Sequence, residues 1–158
     1  EKPTQMLTTL GVFSESEINS RYEILLDSYS KTIQVEACTA LKIAKNQIFP
    51  ACLSYLNKIT QTANNLAVIN ANFDFIKEDV LELSNLLTVM KKRIKDLELA
   101  IENVKAKKAD NFQKAKLWKD KVLSLMNDLR EVVDTLETKV DEKDWPMPTY
   151  IDLLFGIK

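Results

Sequence analysis

The sequence predicts an all-α protein: an elongated antiparallel bundle of three long helices, the first kinked near Pro50, with a short C-terminal Trp-Pro tail. Three observations carry this. From Phe73 to Val104 the apolar residues fall at Phe73, Ile76, Val80, Leu83, Leu87, Met90, Ile94, Leu97, Ile101 and Val104. The spacing alternates three and four without a slip, the seam of a long helix in a bundle or coiled coil. The only glycines are Gly11 and Gly156, and Val12 to Trp145 holds one proline. Such a chain lacks the turn residues that sheets demand.

Residues 1–13 read as an extended lead-in anchored by Met6, Leu7, Leu10, Val12 and Phe13. Ser14 and Glu17 then form a capping box, and Phe13 with Ile18 fits a hydrophobic staple. The first helix, 14–69, presents Ile18, Tyr22, Leu25, Tyr29, Ile33, Ala37, Leu41, Ala44 and Ile48. Its repeated steps of four depart from a heptad, which predicts a straighter or locally unwound stretch. Pro50 removes one intrahelical hydrogen bond and disfavours α geometry at Phe49, so a kink is expected near 50. The apolar pattern resumes with Cys52, Tyr55, Leu56, Ile59, Ala63, Leu66 and Ile69.

Asn72 or Asp74 is the expected cap of the central helix, 73–107. The third helix, 110–142, carries Phe112, Ala115, Trp118, Val122, Met126, Leu129, Val133, Leu136 and Val140, with Trp118 displaced by one heptad position. Together 14–142 form the bundle, and 143–158 a packing tail. At 1.5 Å per residue the first helix would span about 80 Å, and the other two roughly 50 Å each. The central helix therefore covers only the second part of the first. Residues 14–35 overhang or fold over; an overhang would expose Tyr22, Leu25, Leu26 and Tyr29 as an apolar patch in need of a partner.

The composition excludes much chemistry. There is no histidine, hence no Ser/His or Cys/His nucleophile pair and no His-ligated zinc or di-iron site. Two cysteines, Cys38 and Cys52, cannot make an all-thiolate zinc site. On one helix they lie about 21 Å apart, too far for a disulfide, and read as reduced thiols of a cytoplasmic protein. Two glycines cannot build a Gly-rich phosphate loop. Net charge is −1, and no apolar run is long enough for a membrane span. Residues 91–121 hold eleven Lys or Arg against five acids. This reads as a solvated face, with an acidic protein and then a nucleic acid as the lesser readings. The start, Glu1-Lys2-Pro3-Thr4, does not read as a signal peptide; a cut inside a longer chain and a processed start both fit it.

The tail Trp145-Pro146-Met147-Pro148-Thr149-Tyr150 is stiff and aromatic, and Ile151 to Phe155 suits one helical turn. Its aromatics suit packing on the bundle, or docking of a neighbouring domain or subunit through Pro146, Tyr150 and Phe155.

Two stretches carry a family resemblance. One is Ser20-Arg21-Tyr22-Glu23-Ile24, then Tyr29, Ile33-Gln34-Val35-Glu36-Ala37, Ile48-Phe49-Pro50-Ala51 and Tyr55; the other is Trp145-Pro146-Met147-Pro148-Thr149-Tyr150-Ile151-Asp152-Leu153-Leu154-Phe155. They resemble the opening and the end of the C-terminal helical region of type III glutamine synthetases. Residues 60–140 resemble it in helical pattern only. The resemblance implies a bacterial, cytoplasmic, ring-shaped homo-oligomer that joins ammonia to glutamate with ATP and a divalent metal, Mg or Mn, in a catalytic barrel upstream. No barrel motif matches any position here, so no catalytic, cofactor-binding or metal residue is expected in this chain. The expected role is structure and assembly, through packing of Arg21, Tyr22, Leu25, Tyr29, Trp145, Pro146, Pro148, Tyr150, Leu154 and Phe155 on the upstream catalytic domain or an adjacent subunit. No nucleic-acid or membrane partner is expected. The rival reading is a free-standing coiled-coil scaffold or adaptor.

Overall fold

A computed structural model describes residues 2–156; the side chains of Lys2 and Tyr150 also lie outside the described residues. The described structure is helical, without a strand among the described residues. A short helix, α1 (Lys2–Thr9), precedes a helix of 54 residues, α2 (15–68). Helices α3 (Asp74–Ala106), α4 (111–137) and α5 (Tyr150–Phe155) follow.

The lead-in is therefore helical, not extended. Pro3 sits in the first turn, where its missing N–H costs nothing. Gly11 ends the helix at φ +68°, with its N–H donating to the Thr8 carbonyl and that of Val12 to Leu7. A left-handed residue after the last turn suits glycine, which has no Cβ to clash.

The capping box at the start of α2 is present in both directions. The Ser14 N–H donates to Glu17 Oε2 at 2.8 Å, and the Glu17 N–H to Ser14 Oγ at 3.2 Å. Farther on, α2 is continuous through Pro50. Ala44–Ile48 widens to a π-helical turn, and the Phe49 N–H reaches the Ala44 carbonyl. The wider turn accommodates a ring that would clash with the carbonyl four residues back and removes no further bond. The run of four-residue steps from Leu25 to Leu41 lies in regular α-helix; the unwound turn comes just after it, where Ala44, Ile48 and Cys52 are buried in succession.

Helix α3 buries Leu83, Leu87, Met90, Ile94, Leu97, Ile101 and Val104, the heptad seam read from the sequence. Its first turn is not capped as expected. Phe73 occupies the cap position, and Asn72 Oδ1 accepts from the Asp74 N–H at 3.0 Å from one residue earlier. Helix α4 starts at Asp110, whose carboxylate accepts from the Gln113 N–H at 2.7 Å. A second π-helical stretch, Trp118–Leu123, occurs where the heptad slips. One extra residue in the turn lets Trp118, Val122 and Leu129 all face inward.

Helix α4 stops at Glu137 rather than near 142. Turns follow, with the Trp145 N–H donating to the Asp141 carbonyl and Asp141 Oδ1 accepting from the Lys143 N–H. These turns bring both Val140 and Trp145 into the core, which a straight helix could not do. Two seam assignments fail: Phe112 and Ile69 lie exposed, at the ends of α4 and α2 where no neighbouring helix covers them.

Cross-helix pairs set the register. Between α2 and α3, Lys105 donates to Cys38 Sγ at 3.5 Å and Lys45 pairs with Glu98 at 2.8 Å. Between α3 and α4, Arg93 pairs with Asp128 at 3.1 Å and Lys139 with Glu82 at 2.8 Å.

Candidate interaction surfaces

Because α3 ends at Ala106, opposite Cys38, the earlier part of α2 projects beyond it. The length count anticipates this overhang. What it misses is partial cover: the start of α4 lies along it, and Asn111 Nδ2 donates to Glu23 Oε2 at 2.7 Å. Only Ser30, Ile33 and Ala37 of Glu15–Ile43 are buried. Tyr22 is 48% exposed, Leu25 68% and Tyr29 40%. Ile24 and Val35 are also exposed; they lie off the seam, so periodicity does not single them out. Arg21 is held over the Phe13 ring, 4.7 Å from its centroid, a cation–π contact that fixes the chain entering α2.

The tail divides into two parts. Trp145 is 8% exposed and belongs to the core. Of the two readings of the tail's aromatics, packing on the bundle is the one its burial fits. Lys58 Nζ meets Asp144 at 3.0 Å and fastens the preceding residue to α2. Pro146 and Pro148 are exposed. Met147 reaches a cleft of about 310 Å³ between α2 and α4, lined by Ile43, Ile48, Met126 and Val133. Thr149 and Asp152 cap α5 reciprocally, and Gly156 closes it at φ +59°. Well formed as it is, α5 leaves Leu154 76% and Phe155 71% exposed. Ile151 and Leu153 are exposed too. Alternate helical faces were open to either role, and only the placement of α5 shows that neither is covered.

The titratable groups are arranged for structure. Hydrogen bonds from Ser14 hold the Glu17 carboxyl below its usual range. The bond to Asp144 raises Lys58, and that to Glu82 raises Lys139. Burial pushes the Cys52 thiol up to about 11, so it stays protonated. Both cysteines are free. Among the described residues no three His, Cys, Asp or Glu side chains gather as a metal site, and no helix is long and apolar enough to cross a membrane.

This arrangement of a long projecting helix and an anchored Trp-Pro tail can be set beside known proteins. Residues 1–67 match the family model described as the glutamine synthetase C-terminal domain. The chain is also 28% identical to a glutamine synthetase of Bacteroides fragilis over 91% of its length, and 28% identical to a type-3 glutamine synthetase of Dictyostelium discoideum over 98%. A glutamine synthetase of Butyrivibrio fibrisolvens is 26% identical over 100% of the chain. The chain is similar to these glutamine synthetases over nearly its whole length. The resemblance read from its two end motifs holds, and the aligned lengths carry it through α3 and α4. The chain spans about a fifth of the length of these glutamine synthetases, 20–23% of each. The family match encompasses α1 and nearly all of α2, including the whole overhang.

Proposed function

We propose that this chain is the non-catalytic C-terminal helical part of a glutamine synthetase-like enzyme and serves its structure and oligomer assembly. In this reading α2, α3 and α4 form one elongated antiparallel bundle, a coiled-coil-like strut, and the alternating directions of the cross-helix pairs support it. The carrying observation is the overhang. Tyr22, Leu25 and Tyr29 stand exposed on the segment that matches the glutamine synthetase C-terminal domain. A contiguous apolar, aromatic surface is what a partner covers in an assembly. The exposed face of α5, with Leu154 and Phe155, supplies a second contact. Both would pack on the upstream catalytic domain or on an adjacent subunit of a homo-oligomer, with Arg21, Pro146 and Pro148 at the rim.

The parent enzyme would ligate ammonia to glutamate with ATP and Mg or Mn. The residues of this chain do not fit those groups. It has no histidine, two glycines, and no converging carboxylates among the described residues. The fragment therefore contributes no step of that reaction. A bacterial source and a cytoplasmic location are proposed on the family resemblance, and the two free thiols suit a reducing compartment.

The test is the full-length parent enzyme carrying Tyr22→Ser and Leu25→Ser, and separately Leu154→Ser and Phe155→Ser. Light scattering should show smaller particles and the ligase activity should fall, while circular dichroism of the 158-residue chain with the same changes stays that of the parent sequence. Unchanged particle size with unchanged activity in both variants rules this role out. A reading frame without a catalytic part upstream would instead favour the free-standing scaffold.

A further inference from the structure

Helix α3 separates two ends of the molecule by about 50 Å. At one end, residues 105–121 hold seven lysines against Asp110 and Asp120. Lys107, Lys108 and Lys116 are exposed, and none of the three makes an ion pair among the described residues. Lys116 lies one helical turn after exposed Phe112, and Asn111 ties this tip to Glu23, adjacent in sequence to Tyr22. At the other end, residues 74–82 carry Asp74, Glu78, Asp79 and Glu82 against Lys77; Lys139 pairs with Glu82, and Asp74, Glu78 and Asp79 are exposed. There Val68, Ile69 and Phe75 are exposed around the α2–α3 turn.

Each end is thus an apolar patch rimmed by charge, and the two rims have opposite sign. An apolar centre with a charged rim is the anatomy of a protein interface, and opposed rims select the pairing. We propose that copies of this chain associate head to tail, with the basic α3–α4 tip of one copy seated on the acidic α2–α3 turn of the next. The occupant is a second copy because one chain displays both complementary surfaces. Such a contact is heterologous: the patches differ, so it generates a ring or an open row rather than a two-fold pair. It goes beyond the assembly role proposed above. Tyr22 and Leu25 are common to both, so the decisive changes are made at charges that role does not use.

The test is a charge swap in the 158-residue chain. One variant carries Lys107→Glu, Lys108→Glu and Lys116→Glu; the other carries Asp74→Lys, Glu78→Lys and Asp79→Lys. Circular dichroism establishes that both are folded. Sedimentation velocity of the unaltered chain should show concentration-dependent association at low salt that recedes as salt is added. Each variant alone should associate roughly tenfold or more weakly. An equimolar mixture of the two should recover association, because each reversed end finds an oppositely charged end on the other variant. An unaltered chain that stays monomeric at low salt overturns the proposal. So does association unaffected by either variant, or a mixture no stronger than its components.

Discussion

Lys58 Nζ lies 3.0 Å from Oδ2 of Asp144, eighty-six residues away, and this contact fastens the tail where Trp145 enters the core. The salt bridge is exposed and weak by itself. Its value is positional, since it holds the chain at the turn that buries the indole.

Replacing Trp145 by alanine should cost about 3–5 kcal/mol of unfolding free energy, as large buried aromatics do. Leu154→Ala and Phe155→Ala should change stability of the isolated chain by no more than about 0.5 kcal/mol. Urea unfolding followed by circular dichroism measures all three. The opposite order would mean that α5, not Trp145, anchors the tail.

Both Lys58 and Lys139 have raised native pKa values, because the charged form is held by Asp144 and Glu82. Their stabilisation is fully present below the unfolded lysine pKa, about 10.4, and is lost as pH rises through the higher native values. The midpoint of thermal unfolding should therefore fall above about pH 10. The fall should be shallower in a Lys58→Met, Lys139→Met variant. Equal slopes in the two proteins would show that these pairs contribute nothing.

The Ser14–Glu17 box works in the other direction. Its lowered carboxyl pKa gives stabilisation that is present above the unfolded value of about 4.3 and lost as pH falls through the native one. Ser14→Ala removes the cap and should cost about 1 kcal/mol at the start of α2. Amide hydrogen exchange at 15–17 should quicken at neutral pH, with the difference from the parent sequence shrinking on acidification. A difference independent of pH would remove Glu17 from the account.

The two thiols should differ sharply. Cys52 is fully buried with its pKa pushed up to about 11, whereas Cys38 is partly exposed beside Lys105. Thiolates are the reactive species. Iodoacetamide at pH 8 should label Cys38 first, and Cys52 only under unfolding conditions. Labelling of both at one rate in native buffer would contradict the packing around Cys52.

Much of this architecture is legible in the amino-acid order. The three-four spacing from Leu83 to Val104 specifies one buried stripe, because a helix turns through a fixed angle per residue. The slip at Trp118 marks a place where that angle cannot hold, and the stretch is π-helical; the run of four-residue steps from Leu25 to Leu41 stays α-helical, and the other π-turn, Ala44–Ile48, lies beyond it. The Ser14–Glu17 box is local chemistry and needs no distant contact. Even the overhang follows from counting residues along rods of fixed rise.

What only the tertiary structure decided is which apolar residues the neighbours reach. Tyr22, Leu25 and Phe112 share the periodicity of buried residues, yet they lie beyond the end of α3 and remain in solvent. Trp145, followed by a proline and open to packing or docking, is buried because turns at 138–144 bring it back into the core. Met6 and Leu7 could belong to an extended or a helical lead-in; Gly11, in its left-handed conformation, closes a helix there. Periodicity assigns a face to a residue. Burial depends on whether another element extends far enough to cover that face, and this is a property of lengths and turns summed over the whole chain.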